Sequence, residues 1–212
     1  MRFVGAYTAV ARWYDLVSLE RPVYRSGRVW AIEAMRLSPG DRVLDVGCGT
    51  GLNLAPIQAR IGPGGVVVGV DSSADMVAQA RRRTERNGWS NVCLVTADAT
   101  TVPASDLPRS SGQPFDAALA TYALSLMPQW RSAWSLMCES VRPGGRLAVV
   151  DLGLPTGLGA PTRPLARLAC ALGRSRPERA PWRVVEQGLG DVHRQDLWAG
   201  HVLVRVGTLR GE

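Results

Sequence analysis

Three glycines at every second position, Gly47, Gly49 and Gly51, follow an apolar run in VLDVGCGTGLN, and Asp45 stands two residues before the first. Glycines placed this way at the end of a strand let backbone approach a ligand where a side chain would block it. A dinucleotide loop would read GxGxxG and lay a pyrophosphate on the following helix N-terminus. Here the spacing is GxGxG, and Asp45 would meet a phosphate with like charge. A ligand with a cationic end suits Asp45 better. Two further acids close later apolar runs, Asp71 after GVVVGV and Asp98 after NVCLVTA. The first can accept both hydroxyls of a ribose in charge-assisted bonds of about 1.5–3 kcal/mol each. The second can take an adenine amino group while the Ala99 backbone N–H serves a ring nitrogen. Met76 can pack on the adenine face. Singly, each Asp also reads as a cap or turn residue and Met76 as core. In this order along the chain, the set suits S-adenosylmethionine, which carries an ammonium, a sulfonium, a carboxylate and an adenosine.

These residues need strands to carry them and helices to cover the strands. Pro22 in a first turn and Ser38-Pro39-Gly40 as a stop predict a helix over 22–37. A strand over 42–46 follows, then a helix from the glycines to about 61, then a buried strand ending at Asp71. Ser72 or Ser73 caps a helix that keeps Met76, Val77 and Ala80 on one face and ends near Gly88. NVCLVTADA and FDAALATYA read as the third and fourth strands. A helix from about 128 carries Trp130, Trp134, Met137 and Val141 on one stripe, a core pattern. RPGG then turns the chain into a fifth strand, RLAVVDLG. Continuous apolar strands alternating with helices imply a mostly parallel sheet covered on both faces, an open α/β sandwich. Past Leu154, prolines and arginines punctuate a segment with one short helix around 165–172. DVHRQDLWAGHVLVRVG reads as two strands joined near Ala199 and Gly200.

The chain has 212 residues, 46% hydrophobic and 20% charged, the balance of a folded domain. One domain is expected over 1–212: N-terminal helices over 1–40, a ligand-binding core over 41–153, and a Pro/Arg-rich insert with a terminal strand pair over 154–212. The net charge is +7, and all 25 basic residues are arginine. A GC-rich genome produces such a bias; so does an acidic partner such as a phospholipid surface, nucleic acid or anionic substrate. The four cysteines stand far apart with no CxxC pair, which fits a reducing cytoplasm better than a disulfide framework or a zinc knuckle. The N-terminal apolar run is too short and too polar for a signal peptide, and no run approaches the roughly 18 residues of a membrane span.

The motifs VLDVGCGTG, VVVGVDSSADMVAQA, TADA and VRPGGRLAVVDLG over 43–153 resemble the class I S-adenosylmethionine-dependent methyltransferases. ARWYDLVS, TYALSLMPQW and GHVLVRVG are similar to the ubiquinone/menaquinone methyltransferases and the bacterial phosphatidylethanolamine N-methyltransferases. The resemblance implies a Rossmann-like three-layer sandwich with seven strands, the last antiparallel, beneath an N-terminal helical lid. It implies S-adenosyl-L-methionine as cofactor and S-adenosyl-L-homocysteine as product. It also implies that Tyr14, the Tyr of a "YD" pair, covers the cofactor. The expected cofactor contacts are Tyr14, Arg25, Asp45, Gly47, Cys48, Gly49, Gly51, Asn53, Asp71, Ser72, Met76, Asp98, Ala99 and Thr121. Arg25 is chosen over Arg21 and Arg28 as the partner of the cofactor carboxylate, and Cys48 as a small residue whose backbone touches the ligand.

A sulfonium is already an activated leaving group, so the protein's task is to hold an acceptor in line behind the methyl carbon. The chain carries no GxSxG, serine triad or reactive-cysteine motif. Tyr14 and Tyr122 are positioning candidates and His201 a general-base candidate. Neither His193 nor His201 belongs to a metal-spaced cluster, and no metal is expected. The Asn/Asp-Pro-Pro-aromatic motif of enzymes that methylate nucleobase or glutamine amines is replaced here by Thr121, Tyr122, Ala123 and Leu124. The expected acceptor is therefore a small molecule or lipid: an amine-headed lipid, a quinone or a specialised metabolite. Phe3, Val4, Val10, Trp13 and Leu16, with the Arg-rich insert, can form a lid or a footing on the inner membrane face. The competing readings are an RNA methyltransferase prompted by RRRTER at 81–86, a non-catalytic cofactor-binding partner protein, aminocarboxypropyl transfer from the same cofactor, and a nicotinamide oxidoreductase. The solvated position expected for those arginines argues against nucleic acid. Oligomeric state is not legible.

Overall fold

The computed structural model describes residues 23–108 and 112–211. The chain forms seven strands: β1 (Arg42–Val46), β2 (Val66–Asp71), β3 (Val92–Thr96), β4 (Phe115–Thr121), β5 (Val141–Leu152), β6 (Gly190–Leu197) and β7 (Val202–Thr208). They form one sheet in the order β3-β2-β1-β4-β5-β7-β6. The pairs β1–β2, β1–β4, β2–β3 and β4–β5 are parallel. β7 runs antiparallel between β5 and β6. This is the mostly parallel seven-stranded sheet, with its last strand reversed, that the sequence led us to expect.

The helices are α1 (Arg25–Ala34), α2 (Leu54–Ile61), α3 (Ala74–Arg86), α4 (Trp130–Ser140), α5 (Arg163–Leu172) and α6 (Arg183–Gly188). Successive strand residues point to opposite faces, and two cores result. Leu44, Val68, Ala118 and Leu147 pack with Trp130, Ala133 and Met137 of α4 and Val185 of α6. Val43, Val67, Ala117 and Ala148 pack with Ala31 and Ile32 of α1 and Ile57 and Ile61 of α2. A layer on each face is why β2, β4 and the second half of β5 read as unbroken apolar runs instead of alternating ones.

Several boundaries differ from expectation. Pro22 lies outside the described residues, and α1 ends at Ala34 because Arg36, at φ 52°, has left the helical region. RPGG does not precede β5 but lies inside it as a bulge. Phe115 pairs with Val141 and Ala117 with Arg146, so the segment between them is looped out. The bulge is still hydrogen-bonded: Gly144 N donates to Leu209 O (2.9 Å) and Leu209 N to Gly145 O (2.8 Å). Asp116 fastens it, accepting from Arg142 Nε (2.7 Å) and from the Arg42 backbone N–H (2.9 Å). α6, between Pro181 and β6, is a helix not anticipated from sequence.

The chain runs β1-β2-β3 toward one edge and returns to start β4 on the other side of β1. The carboxyl ends of β1, β2 and β4 therefore flank a point where strand order reverses, which is where open α/β sheets hold ligands. Among the described residues no helix is long and apolar enough to cross a membrane.

Candidate functional site

A cleft of about 630 Å³ opens at that reversal. Its floor is the loop after β1. Gly47, at φ 69°, adopts a left-handed conformation, and a Cβ there would collide with the Ala123 Cβ. Gly47 N and Cys48 N both donate to Val70 O, at 2.8 and 3.1 Å, which ties the loop to the end of β2. Gly49, at φ 54°, has nothing within 4 Å of its missing side chain, so bare backbone faces open space. Cys48 is buried, its Sγ against Gly69 of β2, where a Cβ would meet it at 3.0 Å. Burial, with Asp45 and Asp71 nearby, pushes the Cys48 thiol well above its ordinary pKa. It therefore stays protonated and unreactive.

Asp71 ends β2 in the cleft wall. Its Oδ2 accepts from Gly49 N and its Oδ1 from Ser73 N, both at 2.9 Å. An ionised carboxylate offers about four lone-pair directions, so two backbone donors leave each oxygen with capacity for one more. Burial raises the Asp71 pKa and these two bonds oppose it. Ser73 caps α3, accepting from Met76 N at 3.4 Å, and buried Met76 lines the cleft beside Ser72. Beyond β3, Asp98 and buried Ala99 complete this side. Asp98 Oδ1 accepts from Thr100 N (2.8 Å) and Thr100 Oγ1 (2.7 Å).

The other end of the cleft is built differently. Thr121 at the end of β4, with Tyr122, Ala123, Leu126, Met127 and Pro128 after it, gives a largely apolar wall. Tyr122 is held at φ 56°, outside the usual range of non-glycine residues, and its Oη donates to Tyr24 O (2.8 Å). The Tyr24 ring packs on Tyr122 with centroids 5.1 Å apart. Gly27 of α1 makes room for the phenol, since a Cβ there would strike its hydroxyl.

Behind the floor runs a polar relay. Asp45 is fully buried and accepts from Asn53 Nδ2 (2.9 Å). Asn53 Nδ2 also donates to Thr121 Oγ1 (3.0 Å), which accepts from Arg28 Nη1 (2.6 Å). The Arg28 guanidinium lines the cleft and lies 5.0 Å from the Tyr122 ring centre. Burial pushes the Asp45 carboxyl up to about 7, against the lowering effects of Asn53 and Arg28. Its second oxygen, Oδ2, is buried with no hydrogen-bond partner among the described residues.

The residues singled out by sequence therefore separate. Gly47, Cys48, Gly49, Asp71, Ser72, Met76, Asp98, Ala99, Thr121 and Tyr122 line one cleft. Asp45, Gly51 and Asn53 stand outside its lining, the two polar ones one layer back. Arg25 is exposed and does not line it, whereas Arg28, three residues on, does. His201 does not line it either; its Nδ1 is 3.1 Å from Gly153 O and its ring centre 6.2 Å from that of Tyr24. Tyr14 and residues 1–22 of the lid expected over 1–40 lie outside the described residues. Among those described, no group of His, Cys, Asp and Glu is arranged to hold a metal.

A second polar cluster was missed. Asp151, buried at the end of β5, accepts from Ser125 N (2.9 Å), Ser125 Oγ (2.6 Å) and Leu152 N (2.8 Å). Ser175 Oγ is 2.9 Å from Ser125 Oγ. Arg179 Nη1 donates to Ser125 O (2.7 Å) and Met127 O (2.8 Å). The segment after β5 thus clasps the apolar wall of the cleft. Burial pushes the Asp151 carboxyl up to about 6.

Residues 43–145 match a family model described as a methyltransferase domain. An aklanonic acid methyltransferase of Streptomyces sp. is 32% identical over 109 residues, 51% of this chain and 47% of that protein. A demethylmenaquinone methyltransferase of Beutenbergia cavernae is 34% identical over 154 residues, 71% of this chain and 58% of that one. The chain thus spans about half the length of these curated relatives. A crystal structure of a SAM-dependent methyltransferase from Aquifex aeolicus superposes with a TM-score of 0.68 at 16% identity, over 95% of this chain and 98% of that one.

Proposed function

We propose that the chain, whose residues 43–145 match a methyltransferase-domain model and which is 34% identical to a demethylmenaquinone methyltransferase over 71% of its length, is a class I S-adenosylmethionine-dependent methyltransferase that moves the methyl group of that cofactor to a small apolar or lipid-like acceptor. The observation that carries the reading is Asp71, aligned by Gly49 N and Ser73 N and left with one accepting direction on each oxygen in the cleft wall. That chemistry suits two vicinal hydroxyls. Asp98 and Ala99 stand where an adenine edge would lie, and Met76 supplies an apolar face for the ring. Arg28 is the cation for the carboxylate. When bound, the cofactor supplies an electrophilic methyl on a leaving group that needs no further activation.

The chain's own part is then to position and to exclude water. Tyr122, Ala123, Leu126 and Met127 give the acceptor end an apolar wall, which favours a quinone-like ring, a lipid or an aromatic metabolite over a nucleobase. Arg81, Arg82 and Arg86, which prompted the nucleic-acid reading, lie exposed on α3. Positioning of this kind lowers the barrier by up to roughly 7–11 kcal/mol. In this reading the described domain binds cofactor and acceptor in the cytoplasm.

The test is to incubate the purified protein with methyl-labelled S-adenosylmethionine and a bacterial lysate, then partition the label. Label in the organic extract is the expected result. Label in RNA, or in no fraction despite cofactor binding, would replace this reading with nucleic-acid methylation or a non-catalytic partner role. Transfer only of label placed in the aminocarboxypropyl chain would identify the other transfer reaction.

A further inference from the structure

We propose that the continuous helical stretch from Gly157 through α5 seats the protein on an anionic lipid surface. Leu158 is 102% exposed, Leu165 71% and Leu168 56%. In α5 the inward face consists of Ala166 and Cys170, one helical turn apart and both buried. Leu165 and Leu168, three residues apart, share a different, outward side. The helix is therefore apolar on both sides, and Leu165 and Leu168 are left in water. Exposed apolar surface of this kind marks a contact site.

Charge identifies what it contacts. Between Leu152 and Pro177 the chain has no acidic residue and four arginines, Arg163, Arg167, Arg174 and Arg176. All four are exposed. An exposed leucine face on a stretch that carries four arginines and no acid matches an anionic leaflet, the leucines below the headgroups and the arginines supplying attraction to the phosphates. A second copy of the chain fits worse, because a shared two-fold face would bring these arginines against their own copies.

The stretch also adjoins the cleft. Thr156 N donates to Ala199 O (3.1 Å), and half-exposed Trp198 donates from Nε1 to Ser26 Oγ (3.3 Å). From the same corner His201, Tyr24 and Tyr122 follow one another ring to ring, ending in the cleft wall. An acceptor leaving the lipid would meet an aromatic path to the reacting end. This last step rests on the methyl-transfer reading; the membrane contact does not.

The experiment is flotation of the full chain with vesicles of phosphatidylcholine alone or mixed with phosphatidylglycerol, at low and high salt. It compares wild type with Leu165→Asp/Leu168→Asp and with Arg174→Gln/Arg176→Gln. S-adenosylhomocysteine affinity, thermal midpoint and sedimentation are recorded for each. We expect binding to the anionic vesicles only, weakened by salt. The arginine pair should lower it about 30-fold, at about fivefold per arginine, and the leucine pair should abolish it. Cofactor-product affinity should be unchanged throughout. No vesicle binding, equal binding to neutral vesicles, or unaltered binding by either variant would overturn the proposal. So would a wild-type dimer that the leucine variant splits, or a large loss of thermal midpoint in that variant, which would show the leucines to be covered by the protein itself. Vesicle binding without any S-adenosylhomocysteine binding would leave the surface standing and remove the methyl-transfer reading.

Discussion

Replacing Asp71 by Asn keeps the shape of the side chain and removes half of its accepting capacity. In wild type, two of about four lone-pair directions are taken by Gly49 N and Ser73 N at 2.9 Å. The other two are assigned to ribose hydroxyls. An amide turns one oxygen into a donor, so one ribose hydroxyl loses its acceptor and one backbone N–H faces another donor. Losing one to two charge-assisted bonds at about 1.5–3 kcal/mol each, with some relaxation, gives about 2–4 kcal/mol, or roughly 30- to 1000-fold in affinity. Isothermal titration with S-adenosylhomocysteine reads this directly. Adenosine should lose affinity in parallel, because it carries the ribose, while the thermal midpoint of the free protein shows whether the loop has kept its shape. A folded Asp71→Asn protein that binds adenosine and S-adenosylhomocysteine with wild-type affinity would refute the assignment of the cleft's nucleoside end.

Arg28→Ala should weaken S-adenosylhomocysteine binding about 10- to 100-fold, the loss of a charged hydrogen-bond donor, and leave adenosine binding nearly intact. Arg25→Ala should change neither, and equal effects of the two substitutions in the same titration would count against the placement. Asp45→Asn tests the buried carboxylate through pH. Its folded pKa, about 7, lies above the ordinary 3.8, so the folded state holds the proton more tightly than the unfolded chain. The stability this contributes is complete below about pH 4 and is lost as pH rises through 7. Denaturant unfolding of both proteins should therefore show wild type losing ground to Asp45→Asn between those limits, by at most about 4 kcal/mol. Parallel curves would show that the carboxylate is relieved by water or by a neighbour.

Much of the fold was legible because its punctuation is chemical. Ser38-Pro39-Gly40 and Gly62-Pro63-Gly64 cannot continue a helix, so β1 and β2 follow close behind them. Asp71 and Asp98 stood out because acids interrupt apolar runs there. What was illegible depends on three-dimensional neighbours. RPGG carries the chemistry of a turn, yet Leu209 and Asp116, remote in sequence, hold it within a strand as a bulge. The choice between Arg25 and Arg28 was open to a finer reading of α1. At about 100° per residue, buried Gly27, Ala31 and Ile32 centre on a direction about 40° from Arg28 and about 100° from Arg25. The Asp151–Ser125–Ser175–Arg179 cluster had no local signal, since none of its members forms a motif with its sequence neighbours.

That cluster divides the molecule's inheritance. The glycine loop, Asp71 and Asp98 all fall within residues 43–145, the span that matches the family model. The fasteners of the acceptor wall, Asp151, Ser175 and Arg179, all come after it. In the proposed reading, changes in the segment after β5 would alter how the wall is held without touching the glycine loop, Asp71 or Asp98. The substrates of relatives that share only the first part are then poor guides to this one, and exchanging the segment after β5 between two such proteins is a direct way to exchange what they modify.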